Sequence, residues 1–237
     1  MLQQQGGCPV YKLKPRISFG NDQLLDAASY RIQIPPQLAA SNAHAPVFVD
    51  AGKINSLRQT AGGGHGPGLG VTHGLTVTDI DISFSNLSQQ WRQVRTSAAM
   101  PSWQFVGGDV FLDAIITVYV YDGDRPDLSD KLKTDIFAII MQHELLHVLD
   151  EIDIVSRWMV PQVYSDEKVT RYLTNAELVD YSMFRSWFQG DLFSNWLKDG
   201  IWAPEHNRRG SLRDGAHQYA KLQSEIQDLQ VQMINRH

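Results

Sequence analysis

The sequence predicts an α+β protein, β-rich up to Tyr121 and helical afterwards, and three stretches carry that prediction. Phe111 to Tyr121 is dense in β-branched and aromatic residues and apolar on both faces, which reads as the strongest strand of the chain. Residues 129 to 158 are apolar nearly all round a helical wheel, the mark of a central, buried helix. From Ser211 to Asn235, Tyr219, Leu222, Ile226, Leu229 and Met233 recur at the 3,4 spacing of an amphipathic helix.

Composition sets the outer bounds. The chain has 237 residues, 43% hydrophobic and 20% charged, enough for one sizeable core, and it is read as a single domain over 1–237 with a β-rich lobe (1–121) and a helical lobe (122–237). A net charge of −5 without a basic stripe argues against a nucleic-acid partner. No apolar run reaches the roughly 18 residues of a membrane span. Cys8, the single cysteine, excludes an internal disulfide, and no signal peptide is visible. The single cysteine fits a cytoplasmic, reducing compartment without proving one, and localisation, secretion included, stays open. Gly6-Gly7-Cys8 lacks the apolar stretch that precedes a lipidated cysteine and reads as a free thiol in a mobile terminus.

Along the first half, residues 1–14 read as a polar, poorly ordered start. Short strands are expected at Arg16 to Phe19, Tyr30 to Ile34 and Val47 to Val49. Residues 61 to 70 are Gly-rich but lack the Lys-Ser/Thr of a phosphate loop, and they suggest a flap beside a cleft. His65 in that stretch and His73 just beyond it could approach a metal, but both read as solvated loop histidines. Alternation from Leu75 to Phe84 switches parity near Thr78-Asp79, which implies a bulge. Leu87, Trp91 and Val94 at i, i+4, i+7 predict a short helix capped by Ser85 or Asn86. Asp127 or Ser129 is the expected cap of the central helix, which should run from about Ser129 to Trp158.

The centre of that helix is His143-Glu144-Leu145-Leu146-His147. At helical spacing the two histidines are roughly 40° apart in azimuth and about 6 Å apart along the axis, so both imidazoles can reach one ion. Zinc accepts neutral imidazole nitrogen, and a catalytic site uses three protein ligands and leaves a position for water. Glu144, next to the first ligand, is placed to accept that water's proton. Two histidines and a glutamate in the middle of a buried helix are costly unless paired or metal-bound.

HELLH on a long helix after a strand resembles the zincin superfamily of zinc metallopeptidases over residues 110 to about 190. It is more gluzincin-like than metzincin-like and is assigned to no family within the superfamily. The resemblance implies a zincin-like fold, bound zinc, a strand that borders the cleft and binds an extended peptide, and a third ligand further along the chain. The metzincin spacing has Asp150 where glycine belongs and Asp153 at the ligand position, yet nothing between Asp150 and Val160 breaks a helix. The gluzincin pattern takes a Glu from a later antiparallel helix, and a turn at Pro161 would bring Glu177 level with the metal. Glu177 is therefore the first choice, although Thr174-Asn175-Ala176-Glu177 is also a capping box. Asp153, His206 and His217 stay open as ligands.

Lesser candidates surround these. Asp150 could accept from an imidazole N–H, Tyr164 and Tyr181 could stabilise an oxyanion, and Met183 reads as a helix residue in place of a methionine turn. The aromatics between Trp187 and Trp202 suggest a second small core, and the C-terminal helix is expected to pack on its own domain, leaving a monomer. The expected activity is zinc-dependent hydrolysis of a peptide or protein substrate, with His143, His147 and Glu177 on zinc and Glu144 as base. The alternatives are a zinc hydrolase of other bonds on the same scaffold and a catalytically idle binding module.

Overall fold

The computed structural model describes residues 11–60, 72–84, 90–95, 102–166 and 191–235. The architecture is mixed α+β, as the apolar patterns require. Strands β1 (Tyr11–Phe19), β2 (Val47–Val49) and β3 (Gly74–Phe84) all pair with the long strand β6 (Gly108–Tyr121), while β4 (Trp91–Arg95) and β5 (Ser102–Phe105) form a separate antiparallel pair. Helix α1 (Ala51–Thr60) follows β2, α2 (Lys131–Asp153) follows β6, and α3 (Val160–Ser165), α4 (Ala203–Arg213) and α5 (Ala216–Ile234) come later. Among the described residues no helix is long and apolar enough to cross a membrane.

The chain divides into two compact units, and each draws on both the β-rich and the helical half. One comprises Ile17–Asp79, Ile115–Asp153 and Glu205–His237. Its core sets Ile116, Val118 and Val120 of β6 against Ile136, Phe137, Ile140, Met141, Leu145 and Val148 of α2 and Ile226 of α5. Strand β2 runs parallel to β6 with Phe48 opposite Val120, and Phe48 and Tyr30 both meet the Phe137 ring. Leu222, Leu229 and Met233 of α5 pack on the same core, so the 3,4 stripe is spent within its own unit.

The other unit comprises Met1–Arg16, Ile80–Ala114 and Ile154–Pro204. There the alternate residues Val110, Leu112 and Ala114 of β6 are fully buried. Asp113, on the opposite face of the strand, takes Arg16 at 2.6 Å and the Ser83 hydroxyl at 2.6 Å. Two π-helical segments, Ile154–Met159 and Asp191–Trp202, pack together and bury Ile154, Val155, Met159, Leu197 and Trp202.

Several local expectations are corrected. Strand β6 is buried on one face only, its intervening side chains being half-buried or exposed. Strand β1 begins at Tyr11, so residues 11–14 of the stretch read as a loose terminus belong to a strand. Tyr30 and Arg31 end a turn, with Arg31 at φ 56°, Ile32 to Ile34 is irregular, and Ala51–Thr60 is a helix that buries Ile54 behind an Asp50 cap. Trp91 and Val94 lie in β4, where cross-strand pairing overrides a chance helical spacing, while Leu87 lies outside the described residues. Asp130, one residue beyond the expected positions, caps α2 by accepting from the Leu132 N–H at 3.0 Å. Beyond Asp153 the chain continues through the π-helical turn, and Pro161 lies in the first turn of α3 directly behind it instead of turning the chain. The helix expected from Ser211 to Asn235 is broken at Asp214-Gly215.

Candidate functional site

Helix α2 brings His143 and His147 one turn apart, and their rings meet at 75° with centroids 4.8 Å apart. The two Nε2 atoms are 3.1 Å from each other. The third member of the group comes from the break between α4 and α5, where Asp214 Oδ1 lies 3.0 Å from His143 Nε2 and 3.1 Å from His147 Nε2. The Asp214 N–H closes α4 on the Gly210 carbonyl at 2.7 Å, and Gly215 begins the next helix, where the Gln218 N–H returns to its carbonyl at 2.7 Å. Asp214 therefore stands at a corner between two helices and projects toward α2.

This corner is stapled down. The Arg213 guanidinium grips Asp150 through Nε at 2.8 Å and Nη2 at 3.1 Å. Arg209, one turn earlier, reaches Asp153 at 2.7 Å and Glu205 at 2.7 Å. Asp150 and Asp153, both weighed from the sequence as partners of the metal or its imidazoles, are thus engaged by arginines.

Electrostatics follow from the geometry. Burial alone would lower the His147 pKa, but the Asp214 hydrogen bond and the charges of Glu144, Asp214 and Asp150 outweigh it and raise the pKa to about 9. Burial pushes the Asp214 carboxyl up, and the two imidazoles more than reverse this and hold it well below the usual carboxylate range. The group attracts positive charge. A tetrahedral zinc with bonds of about 2.0–2.1 Å separates its ligand atoms by about 3.3 Å. Donor atoms 3.0 and 3.1 Å apart, two imidazole nitrogens and a carboxylate oxygen, fit such an ion.

Glu144 is buried and lines the same pocket as His143, His147 and Asp214. The Thr76 hydroxyl donates to its Oε2 at 2.7 Å. A Cβ added to Gly74 would fall 2.6 Å from Glu144 Oε1 and 2.8 Å from Ile140 Cγ2, so the start of β3 lies directly over the helix at this residue.

Two more imidazoles line the pocket. His73 Nδ1 lies 2.7 Å from the buried carboxylate of Asp124, which corrects its reading as a solvated loop histidine. His206 Nδ1 pairs with Glu151 at 2.5 Å and stays outside the converging triad. Glu177, Tyr181, Met183, Cys8, His65 and the Gly-rich stretch 61–70 lie outside the described residues, and His217 falls in the first turn of α5. Tyr164 accepts the Leu13 N–H at 2.6 Å. Sequence reasoning passed over Asp214, and the signal available for it was the Asp-Gly dipeptide, a turn former inside an otherwise helical pattern.

Compared with family models, with curated proteins and with solved structures, the chain finds no match.

Proposed function

We propose that the chain is a zinc-dependent hydrolase of peptide bonds, in which His143, His147 and Asp214 hold the metal and Glu144 is the general base. The observation that carries this reading is the convergence of two imidazole nitrogens and one carboxylate oxygen within 3.0–3.1 Å, with a second, buried carboxylate on the same pocket wall. Zinc bound there would supply Lewis acidity, polarising a carbonyl and lowering the pKa of water toward neutrality.

The chain's own residues supply the rest. Thr76 ties down Glu144 Oε2, which leaves Oε1 as the atom that takes a proton from the attacking water and returns it to the departing nitrogen. Burial among Gly74, Thr76 and Ile140 keeps bulk solvent from competing for that proton. Strand β3 pairs with β6, its one strand neighbour among the described residues, and Gly74, Leu75 and Thr76 at its start line the pocket. An open strand edge beside the reactive groups suits a substrate bound in extended form through its backbone. HExxH on a buried helix next to such a strand supports the zincin resemblance, with Asp214 in place of the expected Glu as third ligand.

The same two-histidine, one-carboxylate donor set also suits non-haem iron(II). Metal analysis of the purified protein distinguishes the two readings. The catalytic claim is tested by Glu144→Gln, assayed on a mixed peptide library. Zinc content should stay at the wild-type level while turnover falls by at least about 10²-fold, the usual contribution of a positioned base. Full activity in the variant would contradict the role of Glu144.

A further inference from the structure

The three donors of the proposed metal centre are not held equally by the chain. His143 and His147 project from the stretch of α2 in which Ile140, Met141, Leu145 and Val148 are buried in the core, so packing fixes them from the inside. Asp214 projects from the corner between α4 and α5, and among the described residues no comparable apolar anchor lies beside it. Ser211 and Leu212 before it are exposed, Asp214 and Gly215 are half-buried, and the first described α5 side chain to reach the core is Leu222, about two helical turns on. A Cβ added to Gly210, one turn before Asp214, would meet nothing within 4 Å. The apolar core thus does little to hold this corner.

Charge holds it instead. Arg213, the residue before the ligand, donates through Nε at 2.8 Å and Nη2 at 3.1 Å to the two carboxylate oxygens of Asp150, which follows His147 by one turn of α2. The pair therefore bridges the same two segments as the donors: His147 and Asp150 lie on one, Asp214 and Arg213 on the other. Side-chain exposures of 34% and 14% leave it partly sheltered, where a planar fork on a carboxylate is stronger than an ion pair in open solvent. The remaining pairs of α4 start from residues a turn or more earlier. Arg209 binds Asp153 and Glu205 and approaches Asp150 at 3.8 Å, and Arg208 binds Glu205. Those pairs fasten the helix, and Arg213 fastens the corner.

We propose that Arg213 is a positioning residue whose fork on Asp150 latches the metal centre, and that this fork opens to carry Asp214 away from the two histidines whenever the centre takes up or gives up its ion. The inference rests on the metal-centre reading and adds to it the route and the control of exchange. Arg213 does not touch the ion. It sets how often the three-donor site falls to two donors, and two imidazoles alone hold a metal less firmly than three donors do.

The test uses the full-length protein. Zinc release into an excess of chromophoric chelator, and zinc uptake by the metal-free form, are timed for the wild type, Arg213→Met, Asp150→Asn and the double variant, all of which keep the three donors and the base. Both single variants should release and take up zinc about tenfold faster or more, the scale of a hydrogen bond between charged groups. The double variant should be no faster than the quicker single one, since either change opens the same latch. Arg213→Lys, which keeps the charge without the fork, should fall between. Arg209→Met, which removes pairs from the same helix one turn earlier, should melt at a lower temperature yet exchange zinc at close to the wild-type rate, and that contrast separates a latch from general loosening of α4. Thermal melts show which variants are folded, and Asp150→Asn, nearly the native side chain in shape, carries the test where Arg213→Met does not fold. Wild-type rates in both single variants, additive effects in the double variant, an equal effect of Arg209→Met, or faster release without faster uptake would each overturn the latch and leave the metal centre intact. A wild type that binds no zinc overturns the metal centre itself, and the latch with it.

Discussion

Gly74 shows how narrow the tolerances around the reactive carboxylate are. Any side chain there would meet Glu144 Oε1 at 2.6 Å and Ile140 Cγ2 at 2.8 Å, distances that real Cβ atoms do not adopt. Glycine is required here by close approach, since its φ lies outside the left-handed region that only glycine favours. Gly74→Ala should therefore cost about 1–3 kcal/mol of stability, the usual penalty of overpacking, and should lower turnover by displacing Glu144. Zinc stoichiometry should stay unchanged, because the three atoms nearest the added methyl group belong to Glu144 and Ile140 and to none of the proposed ligands. Thermal melts and peptide cleavage check both parts, and an alanine variant with wild-type stability and activity would show that β3 does not press on the helix.

At the scale of elements, legibility divided between local and long-range features. His143, Glu144 and His147 could be read from spacing because one turn of helix fixes their relation. Asp214 could not, since 67 residues separate it from His147 and only chain closure brings it back. The Asp-Gly break lies just ahead of the apolar stripe of α5, which starts at Tyr219, and the helix expected from Ser211 runs straight through it. Helix α1 was missed for the opposite reason: it is largely polar and buries Ile54 alone, so its pattern is faint. The β-strand of Trp91 and Val94 shows that two or three apolar residues at helical spacing are too few to outweigh cross-strand pairing.

Helix α4 holds Asp214 in place through ion pairs that begin at Glu205. The Arg208 hydrogen bond, opposed by burial and reinforced by Arg209, lowers the Glu205 pKa to about 2 from an ordinary 4.5. A carboxyl with a depressed folded-state pKa contributes stability that is fully present above its ordinary value and is lost as pH falls through the folded one. Melting temperatures of wild type and Glu205→Gln should thus differ most near neutral pH, approach each other below about pH 4.5 and meet near pH 2. A gap that stayed constant across this range would mean that the ionised form of Glu205 adds nothing.

For the molecule as a whole, the donors that converge on one point are drawn from distant parts of one compact unit, α2 and the α4–α5 corner. An ion held there would tie these segments together, and its binding free energy would add to the stability of the folded state. Both outer walls of the pocket reinforce this design. β3 supplies Gly74 and Thr76 over the base, and α4 carries the arginines that clamp the carboxylate's corner. The α+β architecture expected from the strongest strand and the central helix is present, and the helix that carries the motif is buried as its composition demanded.

The most direct test is the zinc stoichiometry and affinity of the wild type beside Asp214→Ala and Glu177→Ala, measured by competition with a chromophoric chelator. One tightly held equivalent is expected in the wild type, retained in Glu177→Ala and lost in Asp214→Ala, with affinity falling by more than the roughly 10–100-fold that loss of an outer hydrogen-bond partner costs. Stoichiometric zinc that survives in Asp214→Ala, or a wild type that binds none, would contradict the assignment of His143, His147 and Asp214 as a metal centre.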